Sequence, residues 1–166
     1  MWDPASFPGI VDYDSWDAAV GEDDQIAQHI EAGAFVQLNI ESDGAFRALV
    51  RLGESGNLTE LEGRYVFMTS EPYLFVASGE AWISGIERVG EPSEHDGFSV
   101  AVPPGRWSVT IHILDWEKEP GSHGQDGGPI DAALPDFVVV LVRDDGGPYR
   151  TELLTFDREN APPYEL

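Results

Sequence analysis

The run Phe137-Val138-Val139-Val140-Leu141-Val142 restricts the fold more than any other stretch of the chain. Six consecutive apolar residues are too β-branched for a helix and too unbroken for a strand with one wet face. Alternate side chains of a strand point to opposite faces, so this one must be covered on both. The run is therefore expected as a central strand, hidden inside the protein or in an interface.

Around it the sequence alternates with a period of two. Ala34, Val36, Leu38 and Ile40 alternate with Phe35, Gln37, Asn39 and Glu41, and Phe46, Ala48, Val50 and Leu52 alternate around Arg47 and Arg51. With Ser42-Asp43-Gly44 as a turn, the two segments read as a hairpin. Further strands are expected at 64–69, 73–77, 80–89 with a bend at Gly85, 98–102, 106–114 and 150–156, each bounded by Gly, Pro or Ser. Pro103-Pro104-Gly105 suits a tight turn, so the strands flanking it are expected to pair antiparallel. In the second of them Trp107, Val109, Ile111 and Ile113 form one apolar face opposite Ser108, Thr110 and His112. A helix is expected over 22–32: Glu22, Asp23 and Asp24 suit its first turn, Ile26 and Ile30 share a face, and Gly33 can end it in a left-handed conformation. A shorter helical pattern covers 15–20, with Ser15 or Asp14 as its N-cap. The expected architecture is an all-β domain spanning 1–166, a single antiparallel β-sandwich or flattened barrel with one short N-terminal helix. It comprises an acidic region at 1–33, a long loop at 115–135 and a loose tail at 158–166.

Charge narrows the possible partners. Nine Lys and Arg stand against 31 Asp and Glu among 166 residues, a net charge of −22, and 42% of the residues are hydrophobic, too many for a disordered chain. Direct nucleic-acid binding and adhesion to an anionic membrane both need bases the chain lacks. No stretch approaches the 18 apolar residues of a spanning helix, and the acidic Met1-Trp2-Asp3-Pro4 start is unlike a signal peptide, so a cytoplasmic location is expected. With no Cys, thiol catalysis, disulfides and Cys-ligated zinc are excluded. No Gly-x-Ser-x-Gly elbow or metal-ligand spacing occurs. His112, Asp115, Glu117 and His123 are of ligand type but follow no ligand motif, and no carboxylate pair is singled out for glycoside hydrolysis. Neither catalysis nor a cofactor or metal is expected.

The ten acids between Met1 and Phe46 have no base among them, Arg47 being the first. Together with the long loop they suggest a surface that imitates the spaced phosphates of a nucleic acid and occupies the basic cleft of a nuclease or another DNA-binding protein. The residues expected to contact such a partner are Asp14, Asp17, Glu22, Asp23, Asp24, Asp115, Glu117 and Glu119, with Trp16 and Trp116 as anchors. The alternatives are a carbohydrate- or ligand-binding β-sandwich module, with Trp116 as a sugar platform, and a generic acidic interaction domain adapted to high salt.

The order of segments adds to this. Glu22-Asp23-Asp24-Gln25-Ile26-Ala27, Glu31-Ala32-Gly33-Ala34-Phe35-Val36-Gln37-Leu38 and Gly44-Ala45-Phe46-Arg47-Ala48-Leu49-Val50 resemble the opening of the competence protein ComJ family. Gly63-Arg64-Tyr65-Val66-Phe67, Ile83-Ser84-Gly85-Ile86 and the segment from Phe98 through Pro103-Pro104-Gly105 to Thr110 continue the resemblance, which covers about residues 20–114. It implies a small β-rich inhibitor of a DNA-entry nuclease without enzymatic activity, and assigns no inhibitory residue individually.

Overall fold

The computed structural model describes residues 1–40, 44–53, 57–92 and 94–156. The expected turn residues Ser42 and Asp43 and the tail at 158–166 lie outside them. The fold is strand-rich, 34% strand against 21% helix, and its strands fall into three sheets.

The apolar run forms β8 (Phe137–Arg143) at the centre of the largest sheet, flanked by β2 (Ala48–Leu52) in parallel and β7 (Gly105–Leu114) antiparallel. Val139 and Leu141 face the main core, whereas Val138 and Val140 face a second core with Leu114 and Leu134. Both sides of the strand are thus covered, as its composition demands. The ten-residue β7 carries two short strands along its other edge, β3 (Val66–Thr69) beside its C-terminal end and β4 (Tyr73–Ala77) beside its start. Trp107, Val109 and Ile111 lie in the main core with Phe75, Trp2 and Phe35. Separate two-stranded sheets join β5 (Glu80–Ser84) to β6 (Gly97–Ala101) and β1 (Leu38–Asn39) to β9 (Leu154–Thr155).

Several expectations are corrected. Residues 34–40 and 46–52 do not form a hairpin. Phe35, on the supposedly wet side, is as buried as Ala34 and Val36 and bridges Trp2, so the first part of that segment has no wet face. The second segment instead supplies the other ladder that β8 needs: the Arg47 amide donates to Asp136 Oδ2 at 2.7 Å, and the Phe137 amide donates to the Arg47 carbonyl at 3.1 Å. This pairing is parallel, as is β1 with β9, so the protein is not purely antiparallel. Nor do the strands flanking Pro103-Pro104-Gly105 pair with one another. Two prolines remove consecutive ladder donors, and the segment crosses between sheets. There Gly105, at φ +132°, pairs with Ala77, and the Trp107 indole donates to the Pro103 carbonyl at 2.9 Å.

The fold is also not all-β. Helix α1 (Tyr13–Val20) is capped by Asp12 rather than Asp14 or Ser15; Asp12 accepts from the Ser15 amide at 2.9 Å while the Ser15 hydroxyl accepts from the Asp12 amide. Helix α2 (Asp23–Glu31) follows the expected pattern, with Ile26 and Ile30 buried and Gly33 beyond its end. A third helix, α3 (Glu60–Arg64), occupies the start of the strand expected at 64–69. It is specified by a capping box in which Thr59 and Glu62 satisfy each other's amides. The strand expected at 80–89 ends at Ser84 and is followed by a 3₁₀ turn at Ile86–Arg88. Only Leu154–Thr155 of the strand expected at 150–156 is realised.

Gly33 adopts φ +75°, and a Cβ there would lie 2.8 Å from Val76 Cγ2. Gly33→Ala is expected to lower the free energy of unfolding by about 1–2 kcal/mol, read from urea denaturation, because it combines left-handed strain with a clash in the packing of α2 on β4.

Candidate functional site

Helices α1 and α2 pack against each other and direct Val20, Ile26 and Ile30 into the main core. Their outer surfaces therefore carry what remains: Asp14 and Asp17 on α1, Glu22 at the N-cap of α2, then Asp23, Asp24 and Glu31, all exposed. Among the described residues, the ion pairs use the acids Glu60, Glu62, Glu71, Asp96, Asp115 and Asp144. No acid of α1 or α2 is among them, and no base lies nearby in sequence to neutralise them.

Trp16 faces inward. Its indole donates to the Ile86 carbonyl at 3.0 Å and its ring lies partly buried at the rim of the main core. The large exposed apolar residues on this surface are Val11, 82% accessible, and Tyr13, 72% accessible, the latter stacked on Trp16 with ring centroids 5.9 Å apart. Sequence reasoning missed both. Tyr13, Trp16 and Val20 read as one helical stripe, but the core lies beneath only its last two members. The usable signal was position: Val11 precedes the cap and Tyr13 opens the helix, beyond the ground the core covers.

The loop residues are placed differently. Trp116 donates through its indole to Asp136 Oδ1 at 3.0 Å, lies 5.2 Å from the His123 ring and packs on the second core. Asp115 pairs with Lys118 at 2.9 Å, and Glu119 accepts the Leu134 amide at 3.2 Å. These two acids tie the loop together, and Glu117 is the exposed member of the three. Since Trp16 adjoins the main core and Trp116 the second, the acidic segments attach to opposite faces of the central sheet. The structure does not bring them into one cluster.

The remaining chemistry-bearing groups have local partners. His112 Nδ1 lies 2.9 Å from the Thr69 hydroxyl, and burial pushes its pKa down, against the opposing charge of Glu62. Glu62 has both oxygens on Arg51, at 2.6 and 2.8 Å, so it is engaged as a structural ion pair. His123 contacts Ser122 and Trp116. Among the described residues no group of three or more His, Cys, Asp or Glu is placed to hold a metal, and no helix is long and apolar enough to cross a membrane.

No protein-family model matches the chain, and neither does a curated protein or a solved structure.

Proposed function

We propose that this is a cytoplasmic, cofactor-independent inhibitor that binds a basic protein through the outer surface of α1 and α2. The observation that carries the reading is the combination, on and beside one pair of helices, of exposed carboxylates outside the ion pairs of the described residues with the exposed side chains of Val11 and Tyr13. Uncompensated acids steer a cationic partner and set register, while an aromatic residue at the centre of an interface contributes contact area. The resemblance to the ComJ family makes a nuclease the partner of choice, its substrate groove being built to accept regularly spaced negative charge. Glu117 on the opposite face stands outside this contact.

The test is capture of a basic nuclease from the native host, followed by inhibition kinetics with variants of the inhibitor. Replacing Asp14, Asp17, Glu22, Asp23 and Asp24 together by Asn or Gln is expected to slow association about 10- to 100-fold at low salt, with circular dichroism unchanged. Glu117→Gln is expected to have little effect. Raising the ionic strength should erase most of the difference, because exposed charges are screened over about 10 Å at 0.1 M salt. Equal inhibition by the five-fold variant and the parent would sink the proposal. Stability that rises with salt, with no nuclease inhibited, would instead mark a salt-adapted surface.

A further inference from the structure

A cleft of about 410 Å³ opens on the face of β7 opposite the Trp107–Val109–Ile111 row, within the volume range of small-ligand sites. Its floor is made by Ser108 and Thr110, about 7 Å apart because they are two residues apart on one strand. Among the described residues neither hydroxyl has a hydrogen-bond partner. One wall is the Arg150–Glu71 ion pair. The guanidinium is held in place, donating from Nε to the Glu152 carbonyl at 2.9 Å and from Nη2 to the Leu153 carbonyl at 3.2 Å, while Nη1 meets Glu71 Oε2 at 3.0 Å. The Arg150 side chain is 20% exposed and that of Glu71 is 74% exposed. The other wall carries Pro148 and Tyr149, the Tyr149 hydroxyl being taken by Asp144.

We propose that this cleft binds a neutral monosaccharide or a single sugar unit of a glycan. A guanidinium beside a carboxylate presents donor and acceptor side by side, the pattern that a pair of adjacent sugar hydroxyls completes. Two further hydroxyls on the floor give and accept equally, which suits a ligand whose every polar group does the same. Proline and tyrosine rings offer apolar surface to the C–H face of a sugar ring. An anion is disfavoured by Glu71 and Asp145 in the lining and by the net charge of −22. An apolar ligand would strip water from Ser108 and Thr110 without replacing its hydrogen bonds. The site is distinct from the α1–α2 surface and from Trp116, so it stands or falls independently of the inhibitor reading.

Two-dimensional amide NMR of the full chain, titrated separately with glucose, galactose, mannose and N-acetylglucosamine, tests it, with phosphate and arginine as controls. Saturable shifts in the millimolar range, centred on Ser108, Thr110 and residues 147–150, are expected for at least one sugar. Thr110→Val, which keeps the side-chain shape, should weaken that binding about tenfold by removing one hydrogen bond. If Thr110→Val lowers the melting temperature, Ser108→Ala carries the same expectation. Absence of saturable shifts with every sugar up to about 100 mM, binding unchanged in both variants, shifts centred on Trp116, or shifts with phosphate or arginine alone would each overturn the proposal.

Discussion

Arg51→Ala is expected to cost about 3 kcal/mol of stability, more than any surface charge removal in this protein, because it strands a buried carboxylate. Glu62 is almost inaccessible, and its oxygens accept from both terminal nitrogens of Arg51 at 2.6 and 2.8 Å and from the amide and hydroxyl of Thr59 at 2.7 and 2.9 Å. Arg51 lies on β2 and Glu62 on α3, so the pair fastens that helix to the sheet. Burial raises the Glu62 pKa, but the hydrogen bonds from Arg51 and Thr59 and the charge of Arg51 outweigh it, and the net shift is downward. A folded-state pKa held below the unfolded value contributes stability that is present above the unfolded value and disappears as pH falls through the folded one. Asp144 behaves alike, held at about 2 by hydrogen bonds from Tyr149, Gly146 and Arg106. Urea denaturation should therefore show wild-type stability falling from pH 5 toward pH 2. Its advantage over Arg51→Ala should shrink over the same interval. An Arg51→Ala protein within about 0.5 kcal/mol of wild type at pH 7 would show that the pair contributes no more than an exposed one. The double variant Arg51→Ala/Glu62→Ala should recover part of the loss, since it removes the stranded charge as well as its partner.

That ion pair illustrates what the sequence could and could not reveal. Thr59-x-x-Glu62 is a local signal, readable as a capping box from four residues, although the Val66-Phe67-Met68 run just after it favours a strand. The partnership with Arg51 is not local, since it depends on which strand lies beside β8. Segments whose neighbours in sequence are their neighbours in space were legible: the Ile26 and Ile30 face of α2, its termination at Gly33, and the extents of β4 and β7. The two-sided burial of β8 was legible for a different reason, because its composition leaves no alternative. Pairing was not legible. Tyr73–Ala77 and Ala48–Leu52 both read as five-residue strands, yet one joins β7 antiparallel and the other β8 in parallel. Period-two alternation records which face is apolar and contains nothing about the partner or its direction. The candidate site shows the same division. The outward acids of α1 and α2 follow from the helical period, whereas the separation of Trp16 from Trp116 by a whole sheet follows from topology alone.

Arg47→Ala is expected to cost about 2–3 kcal/mol and to loosen the long loop selectively, since one side chain closes its end. The Arg47 guanidinium donates to four carbonyls, those of Ile130, Asp131, Ala133 and Leu134, at 2.9 to 3.5 Å. This cluster seats Ala133 and Leu134, both buried, and Leu134 belongs to the second core with Val138 and Val140. A loop of this length is held by such local ties or opens, and here Arg47 acts beside the Asp115–Lys118, Trp116–Asp136 and Glu119–Leu134 contacts. Lysine cannot replace it, because a single ammonium does not reach four carbonyls arranged for a planar fork, so Arg47→Lys should recover less than half of the loss. Hydrogen exchange resolves the effect: in Arg47→Ala, protection should fall at residues 114–138 while that of α1 and α2 stays unchanged. Protection lost evenly over the chain would mean that the arginine supports the whole fold rather than the loop. The same variant separates the two acidic segments functionally. If the α1–α2 surface alone engages the partner, inhibition measured below the unfolding transition should survive an opened loop, and a loss of inhibition parallel to the loss of loop protection would place the contact on the face that carries Glu117.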